Sequence, residues 1–297
     1  MTSSGLIVVD KPSGMTSHDV VARLRRIVGT RKVGHGGTLD PMATGVLIIG
    51  VERATRLLTY ILGCDKRYVA TLRLGQTTLT DDADGEVVTV ADTALLTERS
   101  LPVPAIDAGL AALTGEIDQI PSAVSAIKIR GVRSYARVRA GEEVALAARR
   151  VTIRQLRALE IRRTPEAVDV DIDVVCSTGT YVRALARDLG AALGVGGHLT
   201  ALRRLAVGDF TVDEAGTLET LAEGPEAGTI PLAKAAARIL PTRRVTAEEA
   251  RALAHGGPLT AVGTAGPYAV LDPLDDLIAI VVEREGRARP EAVLAPA

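Results

Sequence analysis

Strands and helices interleave along this 297-residue chain, so the sequence predicts a fold that mixes sheet and helix. The first observation is the strict alternation of residues 168–176, Val-Asp-Val-Asp-Ile-Asp-Val-Val-Cys, whose period of two is that of a half-buried strand. The second is residues 17–28, where Val20, Val21, Leu24, Ile27 and Val28 share one helical face. The third is composition: 47% hydrophobic residues supply a substantial core, and the length suits one large domain plus a small one. With one Phe and no Trp, that core is aliphatic.

The elements follow in order. Residues 5–10 read as a short buried strand and 11–16 as a turn. Ser17 stands as the N-cap of the first helix, which Gly29 ends. A Gly- and Pro-bounded loop leads to a strand at 46–51 and a helix at 52–62. Residues 67–74 form a strand with Tyr68 near its start; Asp81, Asp82, Asp84 and Gly85 make a turn; 104–113 is a helix. The stretch 126–163 has no clean period and reads as a hairpin-like insertion ending in a strand at 151–156. After the strand 168–176, residues 177–180 turn into a helix over 181–193, and 202–210 is a further strand. Residues 215–237 change composition and link to a second unit, with a helix at 246–254, a turn at 255–258 and β-like runs over 268–282.

Several function classes are disfavoured. No apolar run approaches the roughly 20 residues that span a bilayer. The first residues, Met-Thr-Ser-Ser-Gly, show no secretory signal, so a cytoplasmic protein is expected. Two cysteines make no disulfide framework, and four scattered His offer no metal-ligand spacing, so neither metal nor cofactor is expected. Residues 34–38 lack the Gly-Lys-Ser/Thr ending of a P-loop, and residues 194–197 follow a helix where a dinucleotide fingerprint follows a strand. The net charge is −1, yet residues 1–80 carry a local +6, residues 126–163 a local +8 and residues 81–118 a local −8. Such clustering gives a positive face suited to a polyanion. A preference for Arg, 30 against five Lys, explains the residue type and leaves the clustering unexplained.

The chemistry concentrates at Asp40, in Gly-His-Gly-Gly-Thr-Leu-Asp-Pro-Met-Ala-Thr-Gly-Val-Leu, residues 34–47. Gly36 and Gly37 permit positive φ and close approach of a neighbour, and Pro41 biases Asp40 toward extended backbone. One acid is thereby presented at the edge of a core strand; by spacing alone, a turn with a capping Asp is the alternative. The whole string closely resembles the catalytic motif of the TruB-type tRNA pseudouridine synthases, whose essential aspartate occupies the position of Asp40. Further segments resemble the same family in order: Lys11 to Asp19, Asp65 to Tyr68, Ser125 to Ala136, Gly179 to Arg183 and His198 to Leu205.

That resemblance implies an α+β fold with a mixed, largely antiparallel central sheet, an RNA-binding insertion at about 120–150 within a catalytic domain of residues 1–235, and a small β-rich PUA-like domain at 236–297. It implies isomerisation of uridine 55 in the T-loop of tRNA, by base flipping, with Asp40 as the catalytic acid. Arg183 would be its counter-ion, Tyr68 would stack on or deprotonate the base, and Tyr181 and Leu202 would line the base pocket. His35 would fill the vacated stack. Lys11, Lys66, Lys128, Arg130 and Arg133, with Arg139, would meet phosphates. Each has an ordinary alternative: a surface helix Arg for Arg183, a strand Tyr for Tyr68, plain core for Leu202, a turn residue for His35. The implied partner is the tRNA T-stem-loop, with no obligatory protein partner, no membrane and a monomeric state. The rival readings are a guide-RNA-dependent relative acting on ribosomal RNA, and an RNA chaperone or binding module without catalysis.

Overall fold

The computed structural model describes residues 4–123, 146–224 and 228–295, with the backbone of 128–129 and 132–133. The chain forms two compact units, one of Met1–Pro41, Gly45–Cys64 and Ala206–Ala297, the other of Met42–Thr44 and Asp65–Leu205. The class is α+β with a large, largely antiparallel sheet and a small β-rich C-terminal part. Among the described residues no helix is long and apolar enough to cross a membrane.

In the first unit, β1 (Gly5–Lys11) precedes α1 (Ser17–Ile27), β2 (Val33–His35) and β3 (Thr44–Val51). β1 lies antiparallel to β3, from Gly5 opposite Val51 to Lys11 opposite Gly45, and pairs on its other edge with Thr229–Pro231. β2 adds to β3 with His35 opposite Ile49. Helix α1 is capped by Thr16 instead of Ser17: the Thr16 hydroxyl accepts from the Asp19 N–H at 3.1 Å, and the Asp19 carboxylate accepts from the Thr16 N–H at 2.9 Å. That capping box frees Ser17, whose side chain is buried for another purpose. The helix expected at 52–62 divides into a 3₁₀ turn, Glu52–Leu57, and an α-helix, Leu58–Gly63. Glu52 takes a left-handed φ of 53°, so the chain leaves β3 through a tight corner before regular helix begins.

The C-terminal part pairs Thr242–Arg244, Tyr268–Leu271, Leu277–Arg284, Arg287–Val293 and Leu259–Thr260, in that spatial order. Strand alternation gives it two apolar faces. Tyr268, Val270 and Ile278 pack with Val245, Leu253 and Leu259 of the helix Ala247–Ala254 and its flanks. Ala269, Leu271, Leu277, Ile280 and Leu294 instead join Leu6, Val8, Val46, Ile48, Leu57 and Phe210 in one core. The C-terminal strands are thereby cemented to β1 and β3.

In the second unit the strands run Gly197–Val207, Lys66–Leu74 (β4), Val168–Cys176, Arg149–Arg163 and Gly115–Gln119 in spatial order. Tyr68 stands opposite Val174 and Lys66 opposite Cys176. The strand expected at 202–210 begins at Gly197, and His198 and Leu199, on its two faces, are both buried. A larger correction concerns the basic stretch. Residues 149–163 are one 15-residue strand of the main sheet, bonded to Val168–Cys176 on one side and Gly115–Gln119 on the other. Four of its arginines are exposed on the sheet and paired: Arg150 meets Glu116, Arg154 meets Asp65, Arg157 meets Asp173 and Arg162 meets Asp171. Part of the local +8 is therefore neutralised within the protein.

Candidate active site

The Asp40 loop is held on both sides of the aspartate. Before it, the buried Ser17 hydroxyl accepts from the Leu39 N–H at 2.9 Å and donates to the Leu39 carbonyl at 3.1 Å. After it, the Pro41 carbonyl accepts from Lys11 Nζ at 3.1 Å and from the Gly14 N–H at 2.9 Å. Lys11 is fully buried, and its ammonium also donates to the carbonyls of Pro12 at 2.8 Å and Met15 at 2.7 Å. This overturns the expectation of a phosphate contact for Lys11: the charge is spent inside, tying the turn 11–16 to the Asp40 loop. Asp40 itself is half-buried. Two glycines make the approach to the loop possible. Gly37 has φ 121°, and a Cβ on Gly36 would stand 2.8 Å from Ile61 Cγ2.

His35 ends β2, half-buried, in an edge-to-face arrangement with His18 at a centroid distance of 5.3 Å and an interplanar angle of 79°. Its backbone is fixed by the ladder to Ile49, and the ring is braced by an edge-to-face neighbour of the kind aromatic pairs favour. His18 is exposed on the first turn of α1, and no pattern in the sequence marked it as a neighbour of His35.

The remaining residues named from the sequence lie in the second unit. Tyr68 and Lys66 alternate onto the buried face of β4. A buried Lys66 does not present charge at the surface, which corrects its expected place at a phosphate. On the other face Arg67 grips Asp173 with two bonds, at 2.9 and 3.1 Å, while Gln155 and Arg157 each donate to the same carboxylate at 2.9 Å. The Arg67 guanidinium first, and Arg157 next among the cations, holds the Asp173 carboxyl below the usual range. Leu202 is buried on the strand Gly197–Val207.

Tyr181 is the cap residue of the helix Val182–Ala192 and makes no side-chain cap bond. Its backbone is pinned instead by buried Gln119, whose carbonyl accepts from the Tyr181 N–H at 2.8 Å and whose amide donates to the Tyr181 carbonyl at 3.1 Å. Arg183, in the first turn of that helix, is 4% exposed, so the surface-helix alternative does not hold. It donates to the Thr80 carbonyl at 2.8 Å and pairs with Asp82 at 3.3 Å. Asp82 is itself buried, and accepts from the Thr80 hydroxyl and from the Asp84 N–H at 3.2 Å. The sequence reads Asp82 as one acid of a turn. Its signal was the position of three acids beside Gly85, inside the segment that balances the basic ones.

Lys128 and Arg133 face one another across a two-residue ladder; Arg130 and Arg139 lie outside the described residues. Asp40, His35 and Lys11 thus belong to one compact unit, and Tyr68, Lys66, Tyr181, Arg183 and Leu202 to the other.

Comparison with known proteins adds to this geometry. The model described as "TruB family pseudouridylate synthase (N terminal domain)" matches residues 25–182, the "tRNA pseudouridylate synthase B C-terminal domain" matches 183–241, and "tRNA Pseudouridine synthase II, C terminal" matches 240–295. A protein of Arthrobacter sp. (strain FB24) named tRNA pseudouridine synthase B is 54% identical over 99% of this chain and 97% of its own. One of the same name from Nocardia farcinica (strain IFM 10152) is 55% identical over 98% and 94%. Among solved structures, a chain of a Cbf5-Nop10-Gar1 complex shares 29% identity with a TM-score of 0.73, covering 98% of this chain and 85% of that one.

Proposed function

The chain belongs to the TruB family of pseudouridylate synthases, and we propose that it converts uridine 55 of the tRNA T-loop to pseudouridine with Asp40 as the essential acid. The reaction breaks the N-glycosidic bond, turns the uracil and rejoins it through carbon. It requires one group that attacks the nucleotide or removes a proton. The observation that carries the assignment is the clamping of the Asp40 loop at both neighbours, by Ser17 on Leu39 and by Lys11 and Gly14 on Pro41. A carboxylate whose backbone is fixed on both sides meets the substrate without a cost of ordering, which is where positioned catalytic groups gain their rate.

In this reading Arg183 is the counter-ion of Asp40, Tyr68 meets the uracil, and Tyr181 and Leu202 shape its pocket. His35 enters the stack that the flipped base leaves, offsetting an unstacking cost of a few kcal/mol. Residues 1–235 are the catalytic part and 236–297 the PUA-like RNA-binding part. The enzyme works in the cytoplasm as a monomer, with no guide RNA. The tRNA-acting relatives stand at 54–55% identity and the Cbf5-Nop10-Gar1 chain at 29%, which favours the tRNA reading over the multi-protein one.

The test is purified protein on an unmodified tRNA transcript, with pseudouridine mapped along the product. Conversion at position 55 without added RNA or protein is expected. Product that forms only with a guide RNA, or none despite binding, would overturn the assignment.

A further inference from the structure

Many arginines among the described residues pair with a carboxylate. Arg23, Arg67, Arg73, Arg150, Arg154, Arg157, Arg162, Arg183, Arg187, Arg238 and Arg244 all reach a carboxylate. Arg25, Arg26 and Arg31 do not, among the described residues. All three are exposed, and with Ala22, Gly29 and Thr30 they line an open cavity of about 530 Å³ in the first unit. Arg25 donates to the Val33 carbonyl at 3.2 Å, which leaves most of its fork available. The adjacent carboxylate, Glu52, already holds the Thr30 hydroxyl and Lys32, the latter at 3.5 Å.

Part of this cluster has an ordinary cause. Arg25 and Arg26 sit in the last turn of α1, where cations favour the helix dipole by about 0.3–1 kcal/mol. Arg31 lies beyond the helix, past Gly29 with its φ of 67°, and the dipole does not account for it. Nor does the dipole account for three arginines lining one concavity. Planar forks around an acid-free hollow suit phosphate oxygens, which guanidinium binds in pairs.

The place matters as well. Arg31 stands four positions before His35, at the end of β2, so at about 3.3 Å per residue their Cα atoms are at most roughly 13 Å apart. We propose that Arg25, Arg26 and Arg31 form a second backbone-binding surface that holds RNA phosphates next to the nucleotide flipped at His35. The inference rests on the tRNA reading above for the identity of that RNA. It puts phosphate contacts on the tip of α1, separate from the basic stretch 126–163.

The experiment is the salt dependence of binding to T-stem-loop RNA by the parent, by Arg26→Ala/Arg31→Ala and by Arg26→Lys/Arg31→Lys. Both positions are exposed, and an unchanged melting temperature will show that the fold is intact. Two lost phosphate contacts lower the magnitude of the log K against log salt slope by about 1.4–1.8 in total. The alanine variant should show that drop, and the lysine variant should keep the parent slope with weaker binding. An alanine variant with the parent slope overturns the surface, whatever its affinity. Conversion is measured separately. A parent that binds with the arginine-dependent slope and makes no pseudouridine would defeat the T-loop assignment and leave the RNA-binding surface standing.

Discussion

Replacing Lys11 with Met keeps much of the side chain's length and removes the ammonium that joins the turn 11–16 to the Asp40 loop. Three main-chain carbonyls lose a charged donor, at 2.8, 2.7 and 3.1 Å. The Pro41 carbonyl keeps the Gly14 N–H as a second partner. Bonds to a charged group contribute about 1.5–3 kcal/mol each when one is removed. The three share one donor and do not add, so a total loss of about 3–5 kcal/mol is expected, as for a broken buried ionic contact. For a chain of this size that corresponds to a fall in Tm on the order of 10 °C. Asp40 is one residue from the released carbonyl, and a shift of about 1 Å in a catalytic group costs about 100-fold in rate. Thermal melting and single-turnover conversion of T-stem-loop RNA measure both. A phosphate-binding Lys11 would behave differently: Tm would hold, and the salt slope for RNA would fall by about 0.7–0.9. That result would refute the clamp.

Asp82→Asn removes the charge of a buried partner of Arg183 and should lower both stability, by about 3–5 kcal/mol, and conversion, with RNA affinity far less affected; normal turnover would mean that the Asp82 charge is not needed to position Arg183. Gln119→Leu removes both bonds to the Tyr181 backbone, and should cost about 1–3 kcal/mol in denaturant melts together with a fall in kcat/KM; full kcat/KM would detach Tyr181 from the reaction. Asp173 supplies the pH prediction. Its carboxyl is depressed in the folded state, chiefly by Arg67, so its stabilisation is complete above the unfolded value of about 3.9 and is lost as pH falls through the folded one. Asp173→Asn should therefore be less stable than the parent at pH 7 by about 2–3 kcal/mol, with the gap closing as pH falls through the folded value. A gap that persists in acid would assign the effect to packing.

What the sequence made legible follows from how local each signal was. The strand over 168–176 and the first helix were read from periodicity, because each buries one face and the side-chain period records it. Gly36 and Gly37 were read as places for close approach and positive φ, and they are. The long strand Arg149–Arg163 was not, because its arginines are matched by acids on neighbouring strands, and pairing across a sheet leaves no trace in local spacing. Burial of Lys11, Lys66 and Arg183 was equally hidden. A cation's partners here are carbonyls and a carboxylate up to a hundred residues away, as Thr80 and Asp82 are from Arg183. Gln119 was passed over, and Ser17 was read as the helix cap, for the same reason: their bonds run to the backbone of distant residues, and local spacing does not record them.

The most direct measurement is pseudouridine formation by Asp40→Asn under single-turnover conditions, paired with its Kd for the same T-stem-loop RNA. Asn keeps the size and much of the hydrogen bonding while removing charge and nucleophilicity. No detectable product is expected, with binding within about tenfold of the parent, or about 1.4 kcal/mol. Near-normal product formation by Asp40→Asn would contradict the assignment and move the chemistry to another residue.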